Sequence, residues 1–66
     1  MKNRLKVARA EMNITQGELA ERIGVTRQAV NSIELGKYVP STVLALKMAK
    51  LFRKSVEELF MLEEDD

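Results

Sequence analysis

The chain has 66 residues, no cysteine and no histidine, with 11 Lys and Arg against 10 Asp and Glu. That bounds it to one small domain and removes disulfides, thiolate metal sites, cysteine nucleophiles and the commonest general base and metal ligand, so neither an enzyme nor a metal or cofactor site is expected. The apolar run Val43-Leu44-Ala45-Leu46 is far too short for a bilayer span or a signal segment, so a cytoplasmic protein with no membrane partner is expected.

The charge is unevenly spread. Residues 1–56 carry all 11 basic side chains and four acidic ones, Glu11, Glu18, Glu21 and Glu34, whereas Glu57, Glu58, Glu63, Glu64, Asp65 and Asp66 crowd the end. A basic body with an acidic tail fits a nucleic-acid binder, although surplus lysines also suit a plain solvated helix face. At 45% apolar residues the chain can fold, but at this length without a staple it needs tightly packed helices, a partner subunit, or both.

Every segment has helical spacing and none has a sustained alternation of period two, which predicts an all-α fold of five short helices. The first runs from Lys2 to Met12, with Leu5, Ala8 and Met12 on one face, and stops near Asn13. Thr15-Gln16-Gly17-Glu18 reads as a capping box opening a second helix, whose apolar side is Leu19, Ala20 and Ile23. Gly24 ends it by supplying a positive φ. Thr26 caps a third helix, Arg27 to Leu35, with Val30 and Ile33 inward and Gly36 as its stop.

Lys37 to Pro40 is a loop, and Ser41 caps a fourth helix. Its residues Leu44, Ala45, Met48, Ala49, Leu51 and Phe52 leave a polar line of only Lys47, Lys50 and Lys54, so it is predicted to be mostly buried. Ser55-Val56-Glu57-Glu58 repeats the capping box and opens a fifth helix with Val56, Leu59 and Phe60 inward. The domain is set at residues 1–62, and the acidic residues 63–66 are expected to fray.

Two short helices joined by Gly24-Val25-Thr26 must cross steeply, a helix-turn-helix arrangement in which the small Ala20 allows close approach. Arg27, Gln28, Asn31 and Ser32 then form an outer face without a carboxylate. The motifs Thr15-Gln16-Gly17-Glu18-Leu19-Ala20, Ile23-Gly24-Val25-Thr26-Arg27-Gln28, Ile33-Glu34, Gly36-Lys37 and Pro40-Ser41 strongly resemble the phage Cro/repressor-type helix-turn-helix family of DNA-binding regulators. The similarity continues through Ala49-Lys50-Leu51-Phe52 and Ser55 to Phe60, nearly the whole chain. Gly17 departs from the pattern, at about 1 kcal/mol of helix propensity relative to Ala.

The resemblance implies a lambda repressor-like DNA-binding domain whose third helix enters the major groove of double-stranded DNA while the second crosses the backbone. Arg27 can donate twice to guanine, and Gln28 can both donate to and accept from adenine. Asn31 and Ser32 lie one turn further along. Unlike Thr15 and Ser55, Thr26 has no acid three residues on but Ala29, which suits a helix start placed beside phosphates.

Backbone contacts are expected from Gln16 with the free amides at its helix start, from Thr26 and from Lys37. Tyr38 either adds a hydroxyl donor or packs its ring on the fourth helix. The Lys47, Lys50 and Lys54 stripe reads as a solvated face. Arg9 and Glu34, which adjoin the apolar stripes of their helices, match the places where the family commonly has a partly buried ion pair, and are expected to fix the recognition helix.

A sequence-specific transcriptional regulator, a repressor by preference, is therefore expected. It would act as a homodimer that uses the C-terminal helix and Phe60-Met61-Leu62. The alternative is a protein-interaction module of the same fold, an antitoxin or adaptor, meeting its partner through those apolar residues.

Overall fold

The computed structural model describes residues 1–66. It orders the elements as β1 (Lys2–Asn3), α1 (Leu5–Met12), α2 (Gln16–Ile23), α3 (Arg27–Glu34), α4 (Thr42–Phe52), α5 (Val56–Leu59) and β2 (Phe60–Met61). No helix is long and apolar enough to cross a membrane.

Local signals account for most helix ends. The Thr15 hydroxyl accepts from the Glu18 amide and the Glu18 carboxylate accepts from the Thr15 amide; Ser55 and Glu58 do the same, and Thr26 and Ser41 cap their helices by side chain alone. These amide bonds, with the hydroxyl bonds beside them, hold the Glu18 and Glu58 carboxyls below the usual carboxylate range. Gly24 ends α2 at φ 78°, and Asn13 and Arg53, both at φ 56°, end α1 and α4. Arg53 takes a conformation that suits glycine or asparagine better.

The core is a single cluster in which Leu5, Leu19, Val30, Ile33, Met48 and Leu59 are almost fully enclosed. Three sequence expectations are corrected by it. The first helix begins at Leu5, not Lys2, because Lys2 pairs with Met61 and Asn3 with Phe60 in a two-stranded antiparallel ribbon that joins the chain ends. Met12 is exposed rather than inward, being the last residue of α1 before Asn13 turns the chain at positive φ. In α4 only Leu44, Met48 and Phe52 are buried, while Val43 and Leu46 face out at 64% and 57% exposure. A bundle this small covers one stripe of the helix and leaves the opposite one bare.

The ribbon also divides the apolar C-terminal cluster. Phe60, read both as inward on the fifth helix and as part of a dimer contact, is extended and buried in the monomer core, Met61 is half-buried, and Leu62 is 81% exposed. Asn3 ties the ribbon to the helices by donating from Nδ2 to the Ile33 carbonyl at 2.7 Å and accepting at Oδ1 from the Leu5 amide. In the acidic tail, Glu63 and Asp66 lie 3.2 and 3.1 Å from the Met1 ammonium.

Candidate nucleic-acid interface

The outer face of α3 carries Arg27, Gln28 and Asn31 exposed to solvent and Ser32 half-buried, while Val30 and Ile33 on the other side hold the helix in the core. Thr26 caps α3 by accepting from the Ala29 amide at 3.1 Å. That bond uses a lone pair and leaves the hydroxyl hydrogen available to an anion. Lys37 and Tyr38 are exposed in the loop after α3.

Where α2 begins, the capping box claims the amides of Thr15 and Glu18. Those of Gln16 and Gly17 remain without partners inside the helix, at its positive dipole end. They border an open concavity lined also by Asn13, Thr15 and Arg27. A β-carbon placed at Gly17 would come within 3.9 Å of Arg27 Cδ, so the Arg27 stem passes beside the start of α2. The geometry joins an amide pair suited to phosphate with a guanidinium suited to phosphate or guanine.

Beneath this surface Arg9 and Glu34 form a two-pronged ion pair, with Arg9 Nε 2.6 Å from Oε2 and Nη2 3.1 Å from Oε1. Arg9 Nη1 also donates to the Ile14 carbonyl at 3.1 Å, which pins the connection between α1 and α2. With side chains only 14% and 8% exposed, the pair bridges α1 to α3 with little water around it. The Glu34 hydrogen bond raises the Arg9 pKa above its already high ordinary value, so the guanidinium stays charged.

Gln16 extends this pair towards the surface. Its Nε2 donates to Glu34 Oε1 at 3.0 Å and to Asn31 Oδ1 at 3.1 Å. Reading the sequence placed Gln16 as a DNA contact and missed its bond to Glu34. The two lie 18 positions apart, and nothing local to either signals the other.

A helix-turn-helix family model matches residues 5–59. Among known proteins, an HTH-type transcriptional regulator of Methanocaldococcus jannaschii and the HTH-type transcriptional regulator YgzD of Bacillus subtilis are each 50% identical over 66 residues, covering all of both chains. The ImmF control region 10 kDa protein of Bacillus phage phi105 is 34% identical over 59 residues, which covers 89% of this chain and 66% of the phage protein. With the match spanning all five helices, and the motif seated on α2 and α3, the chain belongs to the phage Cro/repressor-type helix-turn-helix family of DNA-binding transcriptional regulators.

Proposed function

We propose that this protein represses transcription by binding a specific double-stranded DNA site, with α3 in the major groove. The observation that carries the proposal is the outer face of α3, where Arg27, Gln28 and Asn31 are exposed with no carboxylate among them. Arg27 and Gln28 read base edges from the first turn, and Asn31 and Ser32 lie one turn on. The amides of Gln16 and Gly17, the Thr26 hydroxyl, Lys37 and the Tyr38 hydroxyl hold the flanking phosphates. Repression needs only occupancy of the site, which a DNA-binding domain supplies by itself in the cytoplasm.

One recognition helix reads only a few base pairs, so the protein acts as a two-fold homodimer with helices in successive major grooves about 34 Å apart. Protomers measuring 31 × 23 × 20 Å and placed side by side can span that distance. The apolar surface available to a second copy comprises Leu62 beyond the C-terminal helix, with half-buried Val56 on that helix, and Val39, Val43 and Leu46 on and before α4.

Selection of bound duplexes from a random DNA pool tests the function. The expected result is enrichment of a two-fold symmetric site with half-sites about 10 base pairs apart. A pool that emerges unenriched would refute sequence reading and move the protein-interaction module, antitoxin or adaptor, ahead of it.

A further inference from the structure

The hydrogen-bond chain that leaves the Arg9–Glu34 pair has a direction. Glu34 is a carboxylate and can only accept. Its Oε1 already faces Arg9 Nη2 and is met by Gln16 at 3.0 Å, so the end of the Gln16 amide turned toward α3 is its NH2 group. One hydrogen of that group goes to Glu34, and the other has Asn31 Oδ1 at 3.1 Å. Gln16 therefore spends both amide hydrogens inside the protein, and Asn31 turns its carbonyl oxygen toward Gln16. On the exposed face of α3, the end of the Asn31 amide turned away from Gln16 is Nδ2, which can only donate.

We propose that Arg9, Glu34 and Gln16 form a polarity relay that fixes Asn31 as a hydrogen-bond donor and so makes it a specificity-determining residue at one base of each half-site. The inference rests on the major-groove reading given above. A free asparagine pairs best with adenine, because it accepts from N6 with its oxygen while donating to N7. Here that oxygen is held by Gln16. A donor-only amide is matched instead by guanine, with acceptors at N7 and O6, or by thymine, with an acceptor at O4. It leaves the N6 amino group of adenine and the N4 amino group of cytosine unpaired. Gln16 is then a positioning residue, and the phosphate contact at the start of α2 falls to the main-chain amides of Gln16 and Gly17 rather than to the Gln16 side chain.

The test compares duplexes selected from a random pool by the wild-type protein, Asn31→Ala and Gln16→Leu. Asn31→Ala identifies the base position that depends on Asn31. At that position the wild type is expected to enrich guanine or thymine over adenine, and Gln16→Leu, which frees the asparagine to turn over, is expected to raise the adenine share several-fold. The position read by Arg27 keeps its preference in both variants. Adenine already favoured by the wild type there, or an unchanged profile in Gln16→Leu, would overturn the relay.

A measurement without DNA decides the relay independently of the function and of whether Gln16→Leu folds. In nitrogen-resolved NMR spectra of the wild type, the Gln16 side-chain amide protons are expected to exchange with water several-fold more slowly than those of Asn31. Equal exchange overturns the relay. A pool that shows no enrichment with the wild type overturns the DNA reading instead, whatever the exchange rates.

Discussion

Replacing Arg9 by Met removes three hydrogen bonds at once, two to Glu34 and one to the Ile14 carbonyl. It leaves a carboxylate whose side chain is only 8% exposed with Gln16 as its remaining partner. Breaking a buried pair from one side costs about 3 to 5 kcal/mol. Because the Arg9 side chain keeps 14% exposure, some water can reach the vacated place, and the lower end of that range, about 3 kcal/mol, is expected. A domain of this size has about 3 to 10 kcal/mol in total, so Arg9→Met should lie close to unfolding.

Glu34→Leu is the milder change, at about 1 to 2 kcal/mol, since Arg9 keeps the Ile14 carbonyl and its long stem can carry the charge to solvent. The double variant should be more stable than Arg9→Met alone, because no charge is stranded. Urea unfolding of the wild type, both single variants and the double variant, followed by helical circular dichroism, measures the cycle. A coupling within about 0.5 kcal/mol of zero would refute the claim that this pair joins α1 to α3.

Four further outcomes follow from the geometry. Gly17→Ala should stabilise the fold by about 0.5 to 1 kcal/mol and raise Tm by about 4 °C, because the added β-carbon makes ordinary contacts at 3.8 Å to Thr15 Oγ1 and 3.9 Å to Arg27 Cδ; a thermal melt that falls would show that the start of α2 needs glycine. At Gly24 no atom lies within 4 Å of an added β-carbon and φ is 78°, so the cost is conformational: Gly24→Val should lose about 2 kcal/mol and Gly24→Asn distinctly less, and equal melting temperatures would contradict this.

The lowered pKa values of Glu18 and Glu58 contribute stability that is present above the ordinary carboxylate range and lost as pH falls through their folded-state values. A Glu18→Gln, Glu58→Gln double variant keeps both boxes and should lose less stability than the wild type on acidification from about pH 7 to about pH 3, as urea midpoints at the two pH values will show. On DNA, Arg27→Ala should cost about 1 to 3 kcal/mol on the best site and relax one base preference, whereas Lys37→Ala should weaken all duplexes alike and lower the slope of log affinity against log salt by about one; identical behaviour across a panel of duplexes would remove sequence reading from α3.

What the sequence determined by itself is whatever is settled within one helical turn. Thr15 with Glu18 and Ser55 with Glu58 lie three residues apart, so their reciprocal bonds depend only on the helix starting there. Gly24 and Gly36 mark their turns because positive φ costs them little. The spacing of Leu19, Ala20, Ile23, Val30 and Ile33 placed both motif helices on the core, and with them the exposed edge that carries Arg27, Gln28 and Asn31.

Only the tertiary structure decided how distant segments meet. Lys2-Asn3 and Phe60-Met61 form strands of two residues each, too short to show an alternating pattern, and each is extended because the other lies opposite it. That pairing ended α5 at Leu59, set Phe60 on a strand instead of the helix and left Leu62 outside. The bare stripe of Val43 and Leu46 on α4 reflects how few elements a chain of this length can place around one helix. The bonds from Arg9 through Glu34 and Gln16 to Asn31 join three helices. Side chains so far apart in sequence become neighbours only once the hydrophobic core has fixed where those helices cross, and the Glu34 carboxylate there then dictates which end of the Gln16 amide faces it and, through Gln16, which end of the Asn31 amide faces Gln16.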